Sequence, residues 1–173
     1  MSTKFFILEK NNYGRDLDAN LPGCSILKYG NLVSSDIAIR HNIANIPNEE
    51  QWQQLELFCE NILVPLIKIF KEENVKIKSA FRTPILSAIM GSSTSSNHCK
   101  GQAIDFYIKD VDNAELFKYI QKNLVFHEMI AEYFPNGWIH VSYRDNSRAK
   151  TLKIKDKNHN NLKVNMEYFS EVY

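Results

Sequence analysis

The sequence predicts an α+β domain in which helices pack on one side of an antiparallel sheet. Two observations carry this. Apolar residues recur at three- and four-residue steps through residues 48–70, as on one face of a helix. Later segments instead alternate every second residue, and two of them are joined by the turn "PNG", as in a strand pair. Helices first and then an antiparallel sheet suggest α+β.

The elements follow in order. Residues 1–46 hold turn signals at "NNYG", "LPG" and "YGN" and lead irregularly towards a helix. Asn48 is placed to cap that helix, with Glu49 and Glu50 at its positive end. Its apolar face is Trp52, Leu55, Phe58 or Cys59, Ile62, Leu66 and Phe70, and Pro65 predicts a kink or break inside it. "VKIKSAF" alternates as a strand. "TPILSAIMG" is a short helix with Thr83 as cap, Pro84 in the first turn and Gly91 as stop. The polar loop "SSTSSN" leads to His98, and "QAIDFYI" is a strand. "DNAELFKYIQKN" is a helix, with Asp112 and Glu115 at capping-box spacing. "VFHEMIAEYF" and "GWIHVSYR" are the turn-joined strands, and a basic hairpin around "KNHNN" closes the chain.

Composition narrows the function. With 173 residues, 44% apolar and 24% charged, the chain suits one domain with a real core. A net charge of +1 gives no field to draw it onto nucleic acid or an anionic membrane. No apolar run is long enough to span a bilayer, and "MSTKFFILEKNNYGRD" lacks the long apolar core of a signal peptide. The expectation is a protein that is cytoplasmic as synthesised. Cys24, Cys59 and Cys99 are scattered with no C-x-x-C pair, against a disulfide framework or a cysteine zinc site. Cys99 adjoins His98, but in extended chain neighbouring side chains point apart, so it is not counted as a ligand.

The chemistry lies in three side chains. Ala103, Asp105 and Tyr107 share one face of their strand, and Trp138, His140 and Ser142 share one face of theirs. If the strands are neighbours, Asp105 and His140 converge, and His98 arrives from the preceding loop. Two imidazoles and a carboxylate leave a position open for water, the layout of a catalytic zinc site. The plainer alternative is a core histidine and a turn-capping or lysine-paired aspartate. A divalent cation would offset the burial of Asp105 in an apolar strand. Gly101 and Ala103 are expected to be small because the backbone there passes close to metal or substrate.

The pattern of Ser96, His98, Gly101, Ala103 and Asp105, followed by Trp138 and His140, resembles the zinc D-Ala-D-Ala carboxypeptidases and the related phage endolysins. These share the hedgehog/DD-peptidase fold. "SAFRTPILSAIMGSS" is similar to the family's arginine segment, with Arg82 at the arginine, and "IPNEEQWQQLELFCENILVPLIKIF" and "FHEMIAEYFPNGWIHVSY" are similar to its small, phage-type branch. The resemblance runs over about residues 33–144. Residues 1–32 and 145–173 match nothing in it.

The resemblance implies one Zn2+ per chain held by His98, Asp105 and His140. It implies that Arg82 faces substrate and that Ser96 orients the loop; the alternatives are a supporting salt bridge and a plain turn. Relatives with Glu-x-x-His place the catalytic base three residues before the last ligand, but that position here is Gly137. The small branch keeps a glutamate in the preceding strand, which falls on Glu132. Glu128 shares that strand face, so periodicity does not separate the two. His41, His127 and His159 match no role. The implied function is hydrolysis of a D-Ala-D-Ala or L-Ala-D-Glu bond in peptidoglycan stems, by a phage lysis or virion-carried enzyme that reaches the wall after release. The implied partner is the peptide stem, with no nucleic acid and no membrane insertion. The basic run Lys150, Lys153, Lys155, Lys157 and Lys163 offers contact with anionic wall polymers or, more plainly, guards an edge strand. Since the fold also serves non-enzymatic roles, a zinc-containing binding or virion structural module is the alternative function.

Overall fold

The computed structural model describes residues 14–145, 151–156, 158 and 160–162. Helices α1 (Tyr29–Val33), α2 (Asp36–Arg40), α3 (Glu49–Phe58) and α4 (Val64–Phe70) precede strand β1 (Val75–Ser79). Then come α5 (Pro84–Ile89), a 3-10 turn (Asn97–Lys100), β2 (Ala103–Ile108), α6 (Asn113–Asn123), β3 (Glu128–Glu132), β4 (Trp138–Ser142) and β5 (Thr151–Ile154). Among the described residues no helix is long and apolar enough to cross a membrane.

The caps sit where the side-chain chemistry puts them. Asn48 accepts from Gln51 N–H, and Gln51 reaches back to the Asn48 N–H, a reciprocal box. Thr83 accepts from Leu86 N–H, with Pro84 next in line. Asp112 caps α6 through Ala114 N–H rather than through the Glu115 position. Pro65 does not break its helix. The turn before it, Cys59–Leu63, opens into a π turn in which Val64 N–H reaches the Cys59 carbonyl. Widening there makes room for the proline ring, which lacks an N–H and crowds the preceding turn. The inserted residue also advances the apolar face, so Phe58 and Cys59 are both buried, as are Ile62 and Leu63.

The sheet order is β1-β2-β4-β3-β5. The first three pairings are antiparallel, but β3 and β5 run parallel, so the sheet is mixed rather than wholly antiparallel. The register gives the reason. Glu128 pairs with Ser142, where β4 ends, and with Thr151, where β5 begins. The chain leaves and re-enters the sheet at the same end of β3, which forces a parallel partner. Lys155 and Asn161 then form an antiparallel bridge, the start of the expected hairpin. Lys150, Lys157, Lys163 and His159 lie outside the described residues.

One face of the sheet is apolar. Ile104, Phe106, Ile108, Met129, Ala131, Ile139, Val141 and Ile154 join one buried cluster with Trp52, Leu55, Phe58, Leu66, Phe117 and Ile120 from the helices. Each buried Val, Leu, Ile, Phe or Met among them contributes about 1.5–3 kcal/mol. The segment before α1 belongs to this body. Leu21 and Leu27 are buried, Arg15 bonds Glu56 at 2.8 Å, and Tyr29 Oη donates to the same carboxylate at 2.8 Å. Glu72 accepts from the N–H groups of Ser25, Ile26 and Leu27, clamping that segment beside the end of α4.

Candidate active site

The opposite face of the sheet carries the polar residues. Asp105 on β2 pairs directly with His140 on β4, in the strand at the centre of the sheet. The two side chains meet: His140 Nδ1 lies 2.7 Å from Asp105 Oδ1. The 3-10 turn brings His98 above them, with Nε2 at 3.2 Å from both Asp105 Oδ1 and His140 Nδ1. Ser96 aims that turn by accepting from His98 N–H at 3.3 Å. Cys99 faces away because the turn is 3-10, not extended, and neighbouring side chains stand about a third of a revolution apart.

The protonation of His98 follows from its neighbour. Its Nδ1 is 2.6 Å from the Ala80 carbonyl oxygen, which can only accept, so Nδ1 donates there and Nε2 is the ring atom turned towards Asp105 and His140. The segment supplying that carbonyl is pinned by Asn45. Asn45 Nδ2 donates to the Val33 and Phe81 carbonyls, and its Oδ1 accepts from Thr83 N–H, each at 2.9 Å. Asn45 escaped the sequence reading; its one signal was an amide inside the otherwise apolar "IANIP".

His98, Asp105 and His140 are all buried. Burial alone would raise the Asp105 carboxyl. The charge and N–H groups of the two imidazoles outweigh it and hold the group well below the ordinary carboxylate range. Arg82 Nη2 stands 3.6 Å from Asp105 Oδ2, the supporting ion pair, while its buried Nε has no hydrogen-bond partner among the described residues.

The two glutamates of β3 differ in their neighbours. Glu128 Oε1 lies 3.9 Å from His140 Nε2, on the far side of the ring from Asp105, and Glu128 Oε2 is 3.1 Å from Lys153 Nζ. Glu132 pairs with Lys155 at 3.8 Å. The glycines have structural reasons other than the expected one. Gly101 is left-handed, at φ +72, and a Cβ there would strike the Gln51 carbonyl at the start of α3. The close neighbour is thus a helix backbone, not metal or substrate. At Gly137 a Cβ would strike the Glu132 carbonyl, so the tight β3–β4 turn has no room for a glutamate three residues before His140. His41 is exposed at the end of α2, and His127 is half-buried beside Arg144.

Among the described residues, His98, Asp105 and His140 form the group of three donors able to hold a metal ion, with their ligand atoms within 4.8 Å of one another. Donors about 2.1 Å from a tetrahedral zinc stand roughly 3.4 Å apart; the two 3.2 Å separations from His98 come near this, and the 2.7 Å hydrogen bond between His140 and Asp105 opens to admit the ion. Two imidazoles and one carboxylate on an α+β scaffold match the three-ligand donor set of a mononuclear metallohydrolase. Residues 33–142, more than half of the chain, match the family model of peptidase M15, and the chain belongs to this zinc D-Ala-D-Ala carboxypeptidase-like family. Membership implies a zinc-dependent peptidase acting on a peptide. No curated protein matches the chain.

Proposed function

We propose that the chain is a zinc metallopeptidase of the hedgehog/DD-peptidase fold that hydrolyses an amide bond in peptidoglycan stem peptides. The bond is D-Ala-D-Ala, as in a carboxypeptidase, or L-Ala-D-Glu, as in an endopeptidase. The observation that carries this is the convergence of His98 Nε2, Asp105 Oδ1 and His140 Nδ1, with the His98 proton held away on the Ala80 carbonyl. Zinc held there would supply a Lewis acid that polarises the scissile carbonyl and acidifies water.

The chain's own groups do the rest. Glu132 takes the proton from the attacking water and returns it to the leaving amine. Glu128, at the Nε2 side of His140, orients that ring and leaves Nδ1 for the metal, as outer carboxylates do for ligating histidines. Arg82, held beside Asp105, offers its guanidinium to a substrate carboxylate or the oxygen that gains charge. The setting proposed is phage lysis, or entry from a virion, with the enzyme made in the cytoplasm and acting on the wall after release.

Elemental analysis of purified wild type and His98→Ala tests the site, and cleavage of synthetic stem peptides tests the reaction. About one zinc per chain, lost in the variant, together with release of D-Ala or of an L-Ala fragment, is the expected result. A wild type without stoichiometric metal after zinc is supplied sinks the reading.

One observation favours a second reading, a non-catalytic zinc-containing binding or virion module. Gly137 stands where relatives with Glu-x-x-His carry their base, and the turn has no room for a glutamate there. That reading predicts bound zinc with no stem cleavage.

A further inference from the structure

Strand β5 lies beyond the family-matched residues, which end at 142. It and the residue that follows it nevertheless bring two lysines to the face that carries the metal-ligand set. Glu128 pairs with Thr151 and Ile130 with Lys153, so alternation puts Lys153 and Lys155 on the same face as Glu128 and Glu132. Lysines on an edge strand ordinarily point outward, where they discourage pairing with other chains. These two turn onto named carboxylates.

Lys155 is the more closely fixed. Its N–H donates to the Ala131 carbonyl at 2.8 Å, and its carbonyl accepts from Phe134 N–H at 3.0 Å. Those two partners, Ala131 in β3 and Phe134 just past its end, bracket Glu132 and Tyr133, so the lysine stem starts beside the glutamate. The side chains are 25% and 19% exposed, which leaves the pair partly covered. A glutamate has several staggered rotamers of similar energy, and a fixed cation beside it selects among them. Ion pairs of this exposure add little to stability. Their larger effect is on where the carboxylate is held.

We propose that Lys155 is a positioning residue that holds Glu132 in the conformation in which it exchanges a proton with water. The inference rests on Glu132 being the base. It makes the residue that follows β5, outside the family's matched segment, part of this protein's active site.

The test is steady-state cleavage of a soluble stem peptide by the zinc-loaded full chain, with zinc content and thermal midpoint recorded for each variant. Lys155→Met is expected to lower kcat about tenfold, the effect typical of an outer-shell partner. KM, zinc content and midpoint stay near wild type. Lys155→Arg restores most of kcat, and Lys155→Met added to Glu132→Gln lowers the residual rate no further. Should Lys155→Met fail to fold, Lys155→Gln keeps a polar edge and repeats the measurement. A kcat within about twofold of wild type in Lys155→Met, with Glu132→Gln strongly impaired, overturns the proposal and leaves the base assignment standing. A raised KM at unchanged kcat also overturns it, because the lysine then binds substrate. Glu132→Gln at full activity, or a wild type with none, removes the reading beneath it.

Discussion

His98 Nδ1 lies 2.6 Å from the carbonyl oxygen of Ala80, eighteen positions earlier in the chain. That contact engages Nδ1 and points Nε2 at Asp105 and His140. It ties the end of β1 to the donor set, so disturbing either side is expected to be felt at the other.

The first prediction concerns metal. His98→Ala removes a donor and is expected to weaken zinc binding by about 100-fold or more, read by competition with a chelating dye. Zinc at 100 times its dissociation constant should stabilise wild type by about 2.7 kcal/mol. The same zinc should leave the His98→Ala midpoint almost unmoved. A variant that keeps wild-type zinc affinity would exclude His98 as a ligand.

Asn45→Ala strands the Val33 and Phe81 carbonyls and the Thr83 N–H. Leaving buried polar groups unmet costs about 1–3 kcal/mol, so a loss of roughly 2 kcal/mol is expected in urea unfolding. Zinc affinity should fall as well, because Ala80 moves with this segment. Loss of stability with unchanged zinc affinity would uncouple the clamp from the site.

The two β3 glutamates should separate in kinetics. Glu132→Gln is expected to reduce kcat by about 100-fold or more with zinc retained, as for loss of a general base. Glu128→Gln, beside His140 Nε2, should act on zinc affinity by about tenfold. Exchanged phenotypes would assign the base to Glu128.

Gly137→Glu would restore a Glu-x-x-His sequence, yet it should not restore a base. The new Cβ meets the Glu132 carbonyl, and overpacking against backbone costs about 3 kcal/mol. Denaturant midpoints of wild type and variant decide this, and an unchanged midpoint would mean that the turn yields.

Glu72 gives a pH dependence far from the site. Burial pushes its carboxyl up, but the N–H groups of Leu27, Ser25 and Ile26 outweigh it and lower the pKa from 4.5 to about 2. A carboxyl with a lowered folded pKa stabilises above the unfolded value and loses that contribution as pH falls towards the folded one. Glu72→Gln should therefore be less stable than wild type at pH 7, by about 1 kcal/mol after allowing for solvent screening. The gap should close between about pH 4.5 and pH 2. A gap that is constant with pH would exclude the carboxylate charge as its source.

The sequence alone determined whatever depends on local backbone geometry. Two-residue alternation set Asp105 and His140 on the polar faces of their strands, and side-chain chemistry placed the caps at Asn48, Thr83 and Asp112. Only the tertiary structure decided what depends on partners far along the chain. The parallel pairing of β5 follows from where the chain re-enters the sheet, which no local pattern encodes. Glu128 and Glu132 sit on one face by alternation, and only cross-strand neighbours tell them apart. Asn45 acts on residues 12 and 36 positions away, and Gly101 is glycine because the carbonyl of Gln51 packs against it. Backbone periodicity repeats within a few residues and can be read one segment at a time, whereas close packing between segments exists only once the chain has folded.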